Sequence, residues 1–347
     1  MLALACRLAE KLGTPESRRD VSVRLDNVAG IEWARGDLDA ALAKYGESLA
    51  IRRGLSEQVG TPWSLRDLSV TLIEVAGIEE ARGDFDAAHA KYVESLEISR
   101  RLSEKLGTPG SLRDLSVSLG RVAGIEEARV DFDAAHAKYV ESLEIARGLA
   151  EELGTPESLR DLSRSLEMVA GIEPARGDLD AALVKYEESL RMLRGLVKAS
   201  GIHEDTRWMN LALQMTACLE ESRGDLASAR AKFAESLEIT RRLLAVMPSR
   251  ETGHDYLSSV LIAASFLVDL ARPSEALANL ADALGAATDL ESSCDDDLDM
   301  LDTCAAFHET YAKASAALSR ADEAQRLFEH GAAIRARIAA LKDLGER

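Results

Sequence analysis

The sequence has few aromatic residues and prolines, and no long apolar run. Only 4% of its 347 residues are aromatic and seven are proline, whereas residues that favour helices, such as Ala, Leu, Glu and Arg, dominate. No stretch of about 18 apolar residues occurs, so we expect no membrane span. The first residues, MLALACRLAEKL, are amphipathic and charged, unlike a secretory signal with its apolar core. The composition therefore favours an all-α protein.

Patterns that bind metals, phosphates or nucleic acids are also scarce. The four cysteines (Cys6, Cys218, Cys294 and Cys304) form no C-x-x-C pair, which predicts reduced thiols and a cytoplasmic location. A net charge of −18 disfavours a nucleic-acid backbone or an anionic membrane as a partner. Each GTP tripeptide joins two predicted helices and is not a phosphate-binding loop.

A repeat of 47 residues organises the chain. The residues DFDAAHAKYVESLEI stand at 84–98 and again, unchanged, at 131–145. Five copies of the repeat begin 47 residues apart, at Gly13, Gly60, Gly107, Gly154 and Gly201. We predict three segments: a half-repeat helix at 1–12, five regular repeats at 13–247, and two degenerate repeats with a C-terminal capping helix at 248–347.

Each repeat predicts two helices. Thr61 supplies an N-cap and Pro62 the first helical position. Gly83 ends this helix in the left-handed conformation, and Asp84 caps the next helix, which ends at Gly107. The joints are so short that consecutive helices must pack antiparallel. One hairpin cannot bury its own apolar stripes, so we expect the copies to stack.

The repeat resembles the tetratricopeptide repeat family, in a variant longer than the usual unit of about 34 residues. The resemblance rests on residues that recur in register, which in the second copy are Ala76, Gly77, Gly83, Asp84, Phe85, Ala88 and Tyr92. It implies a right-handed superhelical solenoid of antiparallel helix hairpins. In this family the first helices line a concave groove that binds proteins or peptides. The resemblance implies no catalysis and no cofactor.

One turn departs from the pattern. Val130 replaces the turn glycine in the third repeat. Because valine is costly at positive φ, we predict a distorted turn there.

Candidate ligands for chemistry are isolated. Cys304 and His308 lie four residues apart, on one face of a predicted helix, but no second pair completes a metal site. The acidic run at 292–302 lacks the glycine and the final glutamate of a calcium loop, and is typical of a helix start. We therefore predict no catalytic residue, no metal and no cofactor.

Charged residues recur in a ladder. Glu79 is followed three residues later by Arg82, and Lys91 by Glu94, with counterparts in the other regular repeats. At this spacing the pairs support single helices. The alternative is a charged rail for a ligand.

The near-identical copies differ at positions that stacking leaves free, and we expect these to contact a partner. The predicted partner-binding residues are Asp26, Ile73, Glu167 and Gln214 in one column, Arg121 and Met168 in a second, and Trp33, Glu80, Glu127 and Glu221 in a third. They predict a groove for a basic or amphipathic segment, with Trp33 as its aromatic anchor. Unselected surface is the alternative. A glycine column beside them (Gly30, Gly77, Gly124 and Gly171) admits either a partner's backbone or close packing of neighbouring first helices.

We therefore expect a non-enzymatic scaffold for protein interactions, with a composition typical of bacteria. Three rival interpretations remain. The repeats are the sensor or regulatory part of a larger signalling NTPase or protease, which the half-repeat favours. They assemble end to end with copies of themselves. Least favoured is an enzyme that uses Cys304 and His308.

Overall fold

The computed structural model describes residues 11–201, 203–294 and 297–345. This part of the chain contains fourteen α-helices, one short 3₁₀ helix at Pro174–Arg176, and no strand. The helices are α1 (Pro15–Ala34), α2 (Leu38–Val59), α3 (Pro62–Ala81), α4 (Phe85–Leu106), α5 (Pro109–Ala128), α6 (Phe132–Leu153), α7 (Pro156–Ile172), α8 (Leu179–Ser200), α9 (His203–Ser222), α10 (Leu226–Val246), α11 (Arg250–Asp269), α12 (Pro273–Ser293), α13 (Leu298–Ala317) and α14 (Ala321–Gly345). The predicted half-repeat helix at 1–12 lies largely outside the described residues.

The helix ends follow the predicted caps. The Thr61 side chain accepts a hydrogen bond from the backbone N–H of Ser64, and Pro62 opens α3. Asp84 caps α4 in the same way, through the N–H of Ala87. Gly107 ends α4 with a φ of 58°, in the left-handed region where a side chain is costly. The all-α class and the antiparallel hairpins are thus confirmed.

The turn at Val130 is not distorted, contrary to the prediction. Its N–H donates to the Glu127 carbonyl at 2.8 Å, and the N–H of Asp131 donates to the Glu126 carbonyl at 2.9 Å. Gly83 makes the equivalent bond at 2.9 Å. Because packed helices fix the chain on both sides, Val130 keeps the glycine geometry and adopts a φ of 66°. A left-handed conformation costs a residue with a Cβ about 1–2 kcal/mol.

The chain divides into two compact parts, Met1–Lys185 and Tyr186–Arg347. In the first part, each hairpin completes its core with the first helix of the next repeat. Ala88 and Tyr92 of α4 pack with Leu119 and Ile125 of α5, and all four are buried. The apolar stripes of one repeat therefore need the next repeat, as stacking predicts.

The second part has one continuous core across α9 to α14. Phe233 and Phe266 stack with ring centroids 4.9 Å apart. Tyr256, Phe307 and Ile334 belong to the same buried cluster. The two degenerate repeats thus retain hairpin packing although their sequence pattern has faded.

The charged ladder supports single helices at some of the predicted pairs, as for Glu32 with Arg35, and it also connects helices and repeats. Glu79 accepts from Lys91 of the paired helix at 2.5 Å, and Arg82 pairs with Asp39 of the preceding repeat at 2.5 Å. The predicted spacing of three residues is found for Lys44 with Glu47, at 2.6 Å. Glu79 and Lys91 lie 12 residues apart in sequence, and Arg82 and Asp39 lie 43 apart. An argument from the spacing within one helix could not find these pairs.

Candidate binding surface

An apolar row runs along the first helices of the amino-terminal part. Val23 on α1, Val70 on α3 and Val117 on α5 occupy the same repeat position and are 39%, 43% and 47% exposed. Helical spacing puts positions 70, 73, 77 and 80 on one side of α3. The valines therefore share that side with several of the predicted partner-binding residues.

Trp33 bridges two repeats near the carboxyl ends of α1 and α3. It is half-buried and packs against Val75 and Ile78 of α3. A Cβ on Gly77 would lie 2.9 Å from Cη2 of Trp33, which is closer than side chains tolerate. Of the two explanations for the glycine column, packing between first helices is therefore correct at Gly77.

Glu80 and Glu127 form a row of fixed carboxylates. Glu80 accepts a hydrogen bond from the Tyr92 hydroxyl at 2.8 Å, and Glu127 accepts one from the Tyr139 hydroxyl at 3.0 Å. Burial, with the nearby carboxylates, raises the pKa of both tyrosines, so the phenols remain protonated donors. Each glutamate is half-buried and is held in place by its own hairpin. We call Val23, Val70, Val117, Glu80 and Glu127 the valine–carboxylate face.

Three further predicted residues lie between these rows. Ile73 is half-buried and packs on the cluster that contains Tyr92 and Leu119. Arg121 is exposed. Met168 reaches towards α5, where its Sδ lies 3.5 Å from the position of a Cβ on Gly120. Neighbouring first helices therefore contact each other through Ile73 and Met168, and part of each side chain stays exposed.

Glu167 is half-buried on α7, in the same column as Ile73. It accepts a hydrogen bond from the Ser163 hydroxyl at 3.4 Å, one helical turn earlier. This contact lies within α7.

Asp26 does not belong to an open groove surface, which corrects its prediction. Its carboxylate lies 2.5 Å from Nη2 of Arg52, whose side chain is only 6% exposed. Arg52 also donates to the Asp67 carbonyl at 2.8 Å and to the Thr71 hydroxyl. Burial raises the pKa of Asp26, although Arg52 opposes the shift. The pair connects three helices of the first two repeats.

In the carboxy-terminal part, Gln214 and Glu221 have different surroundings. Gln214 is 6% exposed and donates to the hydroxyls of Ser236 at 3.1 Å and Ser259 at 2.8 Å. It therefore belongs to the interior and offers a partner little surface. Glu221 lines a cleft of about 340 Å³ with Phe266 and Thr310, on the first helices α9, α11 and α13. Burial and the charge of Asp269 raise its pKa.

The valines were missed because the comparison of copies searched for positions that vary. Val23, Val70 and Val117 are identical in the first three repeats, so a comparison of differing positions does not find them. The available signal was their position two residues after a core position, occupied by Val21, Leu68 and Leu115. On a helix this offset turns a side chain away from the core.

Cys304 does not form a reactive pair with His308. It is fully buried, with its Sγ 4.0 Å from the Ala287 carbonyl. Burial raises the pKa of its thiol to about 12. A protonated thiol is a poor nucleophile and a poor metal ligand. The geometry therefore gives no support to an enzyme built on these two residues.

The fold is similar to that of tetratricopeptide-like repeat proteins. A STAND signal-transduction ATPase with a tetratricopeptide repeat sensor, from Pyrococcus horikoshii, matches 95% of this chain and 46% of its own, with a TM-score of 0.62 and 13% identity. Aspartyl phosphate phosphatase F from Bacillus subtilis matches 95% of this chain and 74% of its own (TM-score 0.58, 11% identity). BtubC from P. vanneervenii matches 74% and 92% (TM-score 0.57, 18% identity).

No protein-family model matches the sequence, and no curated protein matches it at a significant level. At these identities the structural likeness shows the fold alone. Among the described residues, every helix is too short or too polar to cross a bilayer.

Proposed function

We propose that the protein is a non-enzymatic scaffold that binds a basic, amphipathic segment of another protein on its valine–carboxylate face. The observation that supports this most is the presence of two rows on the first helices, one of exposed valines and one of fixed carboxylates. Each row keeps its own repeat position, and the two are about 15 Å apart along each helix. A helix or strand with apolar residues on one side and lysine or arginine on the other complements both rows.

The energetics favour this kind of partner. Covering one exposed valine stabilises a complex by about 1 kcal/mol, since burial is worth about 25 cal/mol per Å². Three valines alone give modest affinity, so the carboxylates must add selectivity for cations. The net charge of −18 attracts a basic segment at long range and repels an acidic one. We therefore expect binding that weakens as the salt concentration rises.

The first prediction tests this face with a defined probe. The probe is a synthetic helical peptide of about 20 residues, with leucine on one side and lysine on the other. Fluorescence anisotropy should show binding by the wild type and affinity at least tenfold lower for Val70→Ser/Val117→Ser. Glu80→Gln/Glu127→Gln should weaken binding and flatten its salt dependence.

Val184→Ser is the matched control, because this valine is 62% exposed but lies on α8, a second helix. A peptide with the same composition in scrambled order controls for charge alone. The proposal is wrong if Val70→Ser/Val117→Ser binds as tightly as the wild type and Val184→Ser.

A second candidate function follows from the similarity to the STAND ATPase with a tetratricopeptide repeat sensor, of which 46% is matched. We infer that these repeats are the sensor region of a longer signalling protein. An immunoblot of the source cells with antibody against the repeats distinguishes the two cases. A band well above 37.5 kDa supports the sensor, and a single band at that mass rejects it.

A further inference from the structure

Three potential metal ligands converge in the carboxy-terminal part, far along the chain from the valine–carboxylate face. They are Glu291 in the last turn of α12, His308 in α13 and His330 in α14. His330 Nε2 lies 3.1 Å and 3.0 Å from the two Glu291 carboxylate oxygens. His308 Nε2 lies 3.6 Å from Glu291 Oε2. One ligand atom from each residue lies within 4.8 Å of the other two.

His308 is buried without a hydrogen-bond partner. It is 6% exposed, and neither Nδ1 nor Nε2 makes a hydrogen bond. At 3.6 Å the Glu291 oxygen is too distant to satisfy it. A buried polar group without a partner is costly, and native structures rarely keep one. The His308 and His330 rings meet edge to face, with centroids 4.3 Å apart, so both imidazoles point into one small site.

Two imidazoles and one carboxylate are a donor set typical of Zn²⁺. Zinc binds nitrogen and oxygen at about 2.0–2.2 Å, so tetrahedral ligand atoms lie about 3.4 Å apart. The distances of 3.0 and 3.6 Å from Glu291 Oε2 to the two Nε2 atoms bracket this value. Only small rotations of the side chains are needed to hold an ion.

We propose that Glu291, His308 and His330 bind one Zn²⁺ ion that joins α12, α13 and α14. The ion supplies the partner that His308 lacks and leaves a fourth position for water, since Glu291 and His330 are partly exposed. These three helices are consecutive in the chain. The ion would thus stabilise their packing against one another.

Other histidines beside carboxylates give matched comparisons. His254 lies 3.7 Å from Asp299, and His136 lies 3.2 Å from Glu173. Neither belongs to a group of three ligands among the residues that the structure describes. A histidine close to a carboxylate is therefore not enough to produce a group of three ligands.

The test is calorimetric titration of the full chain with ZnCl₂ after treatment with a chelator. We expect one equivalent bound by the wild type and by His254→Gln, and affinity at least tenfold lower for His330→Gln and Glu291→Gln. His330 is 49% exposed, so its substitution should leave the fold intact, which circular dichroism checks. Zinc at 100 times its Kd should raise the melting midpoint of the wild type by about 4 °C.

Cobalt(II) gives an independent readout of the ligands. The bound ion should show ligand-field absorption without a thiolate charge-transfer band, because no cysteine belongs to the site. The proposal is overturned if the wild type binds no zinc, if His330→Gln and Glu291→Gln bind as tightly as the wild type, or if a thiolate band appears.

Discussion

Val130 occupies a turn position where the first two repeats have Gly36 and Gly83, and it adopts the same left-handed backbone. Its side chain is 69% exposed, so no packing compensates for the strain. Replacing it by glycine removes about 1–2 kcal/mol of strain but returns about 0.4–1 kcal/mol of entropy to the unfolded chain. The strain is the larger effect.

We therefore predict that Val130→Gly raises the free energy of unfolding by about 0.5–1 kcal/mol. The reciprocal change, Gly83→Val, should lower it by a similar amount. Urea denaturation followed by circular dichroism measures both. If Val130→Gly is neutral or destabilising, the residue is not strained as the structure indicates.

Asp26 and Arg52 show why comparing columns one at a time misleads. Asp26 differs from Ile73 in the next repeat, which suggested a free surface position. Arg52 also differs from its counterpart, Ser99, and the two unusual residues pair with each other. The signal in the sequence was that only the first regular repeat has an acidic residue in one column and a basic residue in the other.

Removing one member of a buried ion pair costs about 3–5 kcal/mol, because the other charge is left unpaired. We predict a loss of that order for Arg52→Ala and for Asp26→Ile. The double variant Asp26→Ile/Arg52→Leu, with residues that other repeats carry at these positions, should recover most of it. Additive losses in this double-mutant cycle would contradict the pairing.

At the scale of helices, Gly77 and Gly124 occupy the same position on α3 and α5 but meet different neighbours. A Cβ at Gly77 would clash with the Trp33 indole at 2.9 Å, whereas a Cβ at Gly124 would touch only the Tyr139 hydroxyl, at 3.7 Å. Alanine within a helix is otherwise about 0.5–1 kcal/mol better than glycine. The packing of neighbouring first helices therefore decides whether alanine at each position stabilises or destabilises the protein.

We predict that Gly124→Ala stabilises the protein by about 0.5–1 kcal/mol, while Gly77→Ala destabilises it by about 1–3 kcal/mol through overpacking. Adding Trp33→Leu should restore the stability that Gly77→Ala removes, because the smaller side chain makes room for the added methyl group. Thermal and urea unfolding measure the stability of the three variants. Equal effects of the two alanine substitutions would show that Trp33 does not pack as described.

Much of each helix could be predicted from local chemistry, because caps and turns act within a few residues. Thr61, Pro62, Asp84 and Gly107 set their helix ends as the sequence indicates. The partners of Glu79 and Arg82 could not be found that way. They depend on how two helices and two repeats face each other, which the spacing within one helix does not contain.

At the scale of the whole molecule, repetition multiplies one surface pattern along the chain. Each first helix is covered by its own hairpin and by a neighbouring repeat, yet one side of α1, α3 and α5 keeps its valines exposed. Stacking thus explains the fold, and what it leaves uncovered supports the proposed function.

Hydrogen–deuterium exchange of the wild type, with and without the leucine–lysine peptide, tests the central claim most directly. Binding on the valine–carboxylate face should slow exchange in α1, α3 and α5 and leave the second helices α2, α4 and α6 unchanged. Slowed exchange confined to α2, α4 and α6, or no change at saturating peptide, would contradict the account.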